Sequence, residues 1–147
     1  MGVRVEVPSN APMLLLKESG GQRYLPIWIG AAEASAIVNA LEGIVPPRPM
    51  THDLMADVLS QLGHVDLEGR ITTVADGTFY AELWVDGHAI TARPSDVVAL
   101  ALRSGFKVKC PDELLDQVGV GLFGPAEDEV AKFREFLDQI SPDDFEN

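Results

Sequence analysis

Two short segments of the chain place an arginine, a proline and an acid in the same order. They read Arg48-Pro49-Met50-Thr51-His52-Asp53 and Arg93-Pro94-Ser95-Asp96. Proline favours the first turn of a helix and disfavours helix before it, so each segment predicts a sharp helix start. Thr51 and Ser95 are expected to cap the free amides there. Asp53 and Asp96 are expected to complement the positive end of each helix dipole.

The two arginines and His52 are left without a stated folding role. Guanidinium groups beside free helix amides form an anion site suited to phosphate, so Arg48 and Arg93 are candidate phosphate ligands. The simpler alternative is an ion pair with Asp53 or Asp96. A histidine has an ordinary pKa of about 6.5, which suits proton transfer at neutral pH. Adjacent residues on a helix do not face each other, so His52 cannot pair directly with Asp53.

Three carboxylates could serve a metal ion. Glu33 lies in the first turn of a predicted helix, as Asp53 and Asp96 do in theirs. Mg²⁺ needs only one or two carboxylates when waters and phosphate oxygens complete its shell, and the three could converge to hold it. Each also has the simpler role of a helix-dipole partner.

The elements that must position these residues follow from the hydrophobic pattern. Strands are predicted over residues 3–7, 13–17 and 24–29, and helices over 31–41, 51–62 and 95–103. Asp76-Gly77 and Asp86-Gly87 separate alternating apolar runs, which predicts a three-stranded antiparallel meander over 65–92. A short strand (107–110), a short helix (112–118), a glycine-rich turn (119–124) and an acidic amphipathic helix (127–140) follow. We expect an α+β fold, with a largely antiparallel sheet packed by helices.

The charge balance limits the partners. The net charge is −12, and residues 112–147 carry −9 of it. A protein that binds nucleic acid unaided is usually basic, because affinity comes mainly from neutralising phosphates. Phosphate binding here would need a local arginine patch, a bridging metal ion or both.

Other site classes lack support in the sequence. A single cysteine, Cys110, excludes an internal disulfide and a cysteine zinc site, and it is expected to be a buried, inert thiol. A glycine-rich phosphate loop, a GxSxG elbow and an HExxH motif are all missing. No leader and no long apolar stretch occurs, so we expect a soluble cytoplasmic protein.

Four motifs in order resemble one known family. They are residues 24–30 with Glu33-Ala34, residues 48–54, residues 76–81 and residues 92–103. Together they look like the bifunctional nuclease (DNase/RNase) domain family. The resemblance covers roughly residues 3–120, and the acidic ending Ser-Pro-Asp-Asp-Phe is similar to bacterial members. It implies a compact domain over 1–124, an acidic appendage over 125–147, a homodimer and nuclease activity on DNA and RNA.

Two hypotheses follow. In the first, the protein is a metal-assisted nuclease. His52, Asp53 and Asp96 are its candidate catalytic residues, and Glu33, Asp53 and Asp96 its candidate Mg²⁺ or Mn²⁺ ligands. The candidate substrate-binding residues are Arg48, Thr51, Arg93 and Ser95. In the second, the protein is a non-catalytic, oligomerising module that binds a small anion or a protein partner. The first hypothesis loses its site if Arg48 and Arg93 are both fully engaged by Asp53 and Asp96 and no cleft is open beside His52.

Overall fold

The computed structural model describes residues 2–7 and 10–121. Its first sheet consists of β1 (Gly2–Glu6), β2 (Met13–Lys17), β3 (Arg23–Trp28) and β8 (Val120–Gly121). The strand order is β1-β2-β3-β8, and all the pairings are antiparallel. Pro26 lies opposite Leu15 of β2, while β8 pairs only with Arg23 and Tyr24. Pro26 has no backbone N–H to donate, and it lies beyond the two residues of β3 that pair with β8.

The second sheet contains the predicted meander. It consists of β4 (Leu67–Ala75), β5 (Thr78–Val85), β6 (His88–Ala92) and β7 (Val108–Lys109), in the order β6-β5-β4-β7. Both Asp-Gly turns, Asp76-Gly77 and Asp86-Gly87, have positive φ at each residue, as a two-residue hairpin turn requires. Strand β7 pairs parallel to β4, the one parallel pairing in the described part of the chain.

Helix α3 (Pro94–Ser104) lies at the centre of the molecule. It packs against α1 (Ala31–Leu41), α2 (Thr51–Gln61) and strands β4, β5 and β7. Its residues from Pro94 to Ala101 are buried, except Asp96. This agrees with the apolar residues all around it, because such a helix is stable only inside the protein or an interface. Helix α4 (Asp112–Val118) packs on β3 and β4.

The main core joins both sheets. Leu14, Leu16, Leu25 and Ile27 on one face of the first sheet belong to the same buried cluster as Phe79, Ala81, Leu83 and Val85 of β5. The alternation in β5 predicted the last four as one face, and the structure buries all four. A smaller cluster of Met13, Leu15, Tyr24 and Trp28 covers the opposite face of the first sheet.

The α+β fold is confirmed, with two corrections. The strands form two sheets, and β8 occupies part of the predicted glycine-rich turn. The predicted caps are wrong, because the N-cap residues are Met50 and Arg93 and neither helix start has a side-chain cap from Thr51 or Ser95. The predicted acidic helix over 127–140 lies outside the described residues. Within the described ranges, no helix is both long and apolar enough to cross a lipid bilayer.

Candidate functional site

The starts of α1, α2 and α3 meet at one side of the molecule around a cavity of about 600 Å³. Each helix brings charged side chains to it. Glu33 comes from the first turn of α1, His52 and Asp53 from the first turn of α2, and Arg93 and Asp96 from the start of α3. The fold therefore brings together residues that lie up to 63 positions apart, as counted from Glu33 to Asp96.

Arg93 links two of the carboxylates. Its Nε and Nη2 donate to the two oxygens of Asp96 at 2.8 and 3.1 Å, and its Nη1 donates to Glu33 at 2.6 Å. The structure therefore shows the simpler alternative for Arg93, an ion pair with Asp96. The Arg93 side chain nevertheless remains 55% exposed, so the guanidinium is open to a ligand.

His52 contacts Asp96 from the neighbouring helix. The distance from its Nε2 to Asp96 Oδ1 is 2.9 Å, and the imidazole is only 15% exposed. Burial alone would raise the pKa of Asp96, but hydrogen bonds from Arg93 and His52 together hold it below its ordinary value. Asp96 is therefore a carboxylate shared between a guanidinium and an imidazole.

Asp53 has a different arginine partner from the one we expected. Arg103, in the last turn of α3, donates from Nε to Asp53 Oδ1 at 2.6 Å. The hydrogen bond from Arg103, together with one from the Met50 backbone N–H at 3.0 Å, lowers the pKa of Asp53. Arg48 does not contact Asp53. Its side chain is exposed outside the cavity wall and makes no ion pair within the described residues.

The two hydroxyl residues differ in their positions. Thr51 is exposed and lines the cavity. Ser95 is only 3% exposed and is not part of the cavity wall. A substrate could contact Thr51 in this structure, whereas Ser95 is enclosed by the packing of α3.

The carboxylates fit a metal ion only in part. Among the described residues, no group of three or more His, Cys, Asp or Glu side chains is placed to hold one ion. Glu33 and Asp96 both accept hydrogen bonds from Arg93, so both carboxylates lie beside the same guanidinium. Asp53 is separately tied to Arg103. Since Mg²⁺ accepts one or two carboxylates, Glu33 and Asp96 are the pair that suits it.

Sequence reasoning missed two features of the site. Arg103 was not among the predicted site residues. A single cation at the end of an otherwise apolar helix is the sequence feature that could have indicated it. The apolar part of the wall was missed as well. Its residues come from β5, β6, all three helices and the connector before α2, and only the tertiary fold gathers them.

Cys110 lies away from this cavity. Its thiol is half-buried, and burial raises its pKa to about 11. A thiol with so high a pKa carries almost no thiolate at neutral pH, which agrees with the predicted inert cysteine.

Comparisons with known proteins agree with the motif resemblance. The family model described as the bifunctional nuclease domain matches residues 14–122. An uncharacterized protein of Mycobacterium tuberculosis is 49% identical, over 99% of this chain and 94% of its own length. Bifunctional nuclease 1 of Oryza sativa subsp. japonica and a bifunctional nuclease of Oryza minuta are each 24% identical over 69% of this chain, which spans 32% of their length. The chain belongs to the bifunctional nuclease domain family.

Proposed function

We propose that the protein is a nuclease that hydrolyses phosphodiester bonds of RNA or DNA at the cavity edge. One observation carries the proposal: His52, Asp96, Arg93 and Glu33 form a continuous chain of hydrogen bonds beside an open cavity. The nuclease hypothesis would lose its site if both Arg48 and Arg93 were engaged by acids and no cleft were open beside His52. Arg93 pairs with Asp96, but Arg48 makes no ion pair among the described residues and His52 lines a cavity. The names of the rice relatives support the same activity.

His52 is the proposed general base. When Nε2–H donates its hydrogen bond to Asp96 Oδ1, the lone pair of the neutral imidazole is on Nδ1. Asp96 thus fixes both the tautomer and the ring orientation. Nδ1 can then take a proton from the attacking water, whose oxygen forms a bond to phosphorus while the bond to the leaving oxygen breaks. The leaving oxygen keeps the electron pair of that bond and takes a proton from solvent.

Arg93 is the proposed phosphate ligand. Its exposed guanidinium can donate to a phosphoryl oxygen and stabilise the negative charge that grows in the transition state. Thr51 on the cavity wall and Arg48 outside it are proposed as further contacts to the substrate backbone. Asp53 is proposed to position α2 through Arg103 instead of touching the substrate.

We further propose that Mg²⁺ or Mn²⁺ assists the reaction, with Glu33 and Asp96 as its protein ligands. A divalent ion would supply additional charge stabilisation at the phosphate. Because both carboxylates are paired with Arg93, ion binding would require this guanidinium to turn toward the substrate.

The test is cleavage of a single-stranded RNA and a single-stranded DNA by purified protein, with Mg²⁺, with Mn²⁺ and with a chelator. We expect Arg93→Ala to lose at least about 100-fold in rate, the typical effect of removing one charge-stabilising donor. Arg4→Ala, prepared in the same way, should retain full activity because Arg4 pairs only with Glu6 on β1 in the described residues. Equal activity of Arg93→Ala and wild type would indicate a contaminating nuclease and overturn the proposal.

The binding-module hypothesis has one supporting observation. Helix α2 contains no buried residue, and it exposes an apolar stripe of Leu54, Met55, Val58 and Leu62. We propose that a second copy of the chain covers this stripe in a homodimer, since a two-fold interface buries the same patch on both subunits. Light scattering after size exclusion should give twice the chain mass of 15.9 kDa, and Leu54→Lys/Leu62→Lys should give the monomer mass.

A further inference from the structure

The inside of the cavity differs in chemistry from its charged edge. Away from His52 and Arg93, the wall is mainly aliphatic, with contributions from Ala36, Leu83, Ile90, Val97 and Leu100. Two uncharged polar residues of α1, Ser35 and Asn39, lie one helical turn apart on the same wall. The cavity volume of about 600 Å³ lies within the range of small-molecule sites.

Charge alone does not make this cavity attractive to a phosphate. Its three carboxylates outnumber its two guanidinium groups, and every one of these groups has an opposite partner. The chain as a whole carries a net charge of −12. A polyanion therefore gains little from long-range attraction, so affinity has to come mainly from the apolar wall.

We propose that the cavity accepts one unpaired nucleobase of the nucleic-acid substrate, which restricts the site to single-stranded positions. This inference rests on the proposed nuclease function for the charged edge. A base offers two flat apolar faces to the aliphatic wall and a polar rim to Ser35 and Asn39. A base in an intact duplex is stacked and paired, and it must leave the stack before it can enter a cavity.

The residues of the cavity wall predict how a base would bind and how its affinity would depend on salt. The described cavity wall contains no Phe, Tyr or Trp side chain, so the base gains mainly from burial against the aliphatic residues. Because Arg93 is the one largely exposed guanidinium of the cavity wall, few counterions are released on binding. For a single strand bound by Arg93 and Arg48, we expect the logarithm of the affinity to fall with the logarithm of salt concentration with a slope of about −1.4.

Binding of AMP and of ribose 5-phosphate, measured by calorimetry on the intact protein, tests the base cavity without any cleavage. Ala32 and Ala31 are neighbouring exposed residues of α1, but only Ala32 lines the cavity. We expect Ala32→Phe to bind AMP at least about tenfold more weakly than wild type, and Ala31→Phe to bind it as wild type does. Ribose 5-phosphate should bind wild type at least about tenfold more weakly than AMP.

Any of three results would overturn the base cavity: equal affinity for the two ligands, an unchanged Ala32→Phe variant, or no AMP binding at about 1 mM. Cleavage assays separate this inference from the proposed function. A protein that cuts an intact duplex as fast as the matching single strand is a nuclease without a base cavity. A protein that binds AMP as expected but cuts neither the duplex nor the single strand has the base cavity and is not a nuclease.

Discussion

Arg103 holds three helices with one side chain. Its Nε donates to Asp53 on α2, its Nη2 donates to the carbonyl of Ala36 on α1 at 3.0 Å, and its Nη1 donates to the carbonyl of Ala99 on α3 at 2.7 Å. The guanidinium is only 13% exposed. Since α1 carries Glu33 and α2 carries His52, Arg103 fixes the spacing of the candidate site without lying at its reactive edge.

We predict that Arg103→Met destabilises the protein by about 2–3 kcal/mol, because it removes hydrogen bonds to a partly buried carboxylate and to two carbonyls. Urea unfolding measures the effect. Arg48→Met is the matched control, since Arg48 is exposed and makes no ion pair in the described residues, and it should change stability by less than about 0.5 kcal/mol. Equal effects of the two variants would show that Arg103 does not hold the helices.

The lowered pKa values of Asp53 and Asp96 predict acid sensitivity. A carboxylate whose pKa is lower in the folded state contributes stability above its unfolded pKa of about 3.9, and that contribution is lost as the pH falls through the folded value. The free energy of unfolding should therefore fall steeply below about pH 4. Asp53→Asn should reduce the steepness of this fall in urea unfolding between neutral and acidic pH. A variant curve parallel to that of wild type would contradict the assigned role of Arg103.

Among the charged residues of the site, contacts between near neighbours in the sequence could be predicted, whereas contacts between distant residues could not. The pairing of Arg93 with Asp96 is local, three positions apart within one helix start, and it could be predicted. The contacts of His52 with Asp96 and of Arg103 with Asp53 span 44 and 50 positions. Such contacts depend on how α2 crosses α3, which no spacing along the chain encodes.

At the scale of elements, local patterns predicted most of the secondary structure. Strand β2, helix α1 and helix α4 have the expected boundaries, and the Asp-Gly turns define the meander. The two-residue strands β7 and β8 are held by partners far away in the chain. Because they are too short for any periodicity, β8 could not be predicted and the parallel pairing of β7 could not be foreseen.

Gly69 permits close packing of Val97 of α3 against strand β4. A Cβ at this position of β4 would overlap Val97 Cγ1 and would lie 3.2 Å from Val108 Cγ2. We predict that Gly69→Ala destabilises the protein by about 1–3 kcal/mol through overpacking, as measured by thermal or urea unfolding. The double variant Gly69→Ala/Val97→Ala should lose less stability than the sum of the two single variants. Additive losses would argue against direct contact.

At the scale of the whole molecule, charge is divided unevenly along the chain. Residues 1–111 carry a net charge of −3 and residues 112–147 carry −9. Most of the acidic segment lies outside the described residues, where the sequence predicts a helix with an apolar stripe that includes Phe133 and Phe136. Burying each phenylalanine would contribute about 1.5–3 kcal/mol, which favours docking with the acids outward.

We predict that removal of residues 125–147 lowers the melting temperature, because the apolar surface under the stripe becomes exposed. The same truncation should strengthen nonspecific binding of nucleic acid at low salt, because it removes a net charge of −6 out of the −12 of the whole chain. Calorimetry and a salt series of binding curves measure the two effects. Unchanged values in both would show that the acidic segment is a passive appendage.

The pairing of β3 with β8 has a consequence for synthesis on the ribosome. Strand β3 is complete at Trp28, but its outer partner arrives only with Val120 and Gly121. The nascent chain therefore presents an apolar strand edge during most of its translation, and such an edge invites pairing with other chains. Pro26 removes a hydrogen-bond donor from the middle of this strand. An edge that lacks this donor is a poorer template for pairing with another chain than an unbroken strand edge.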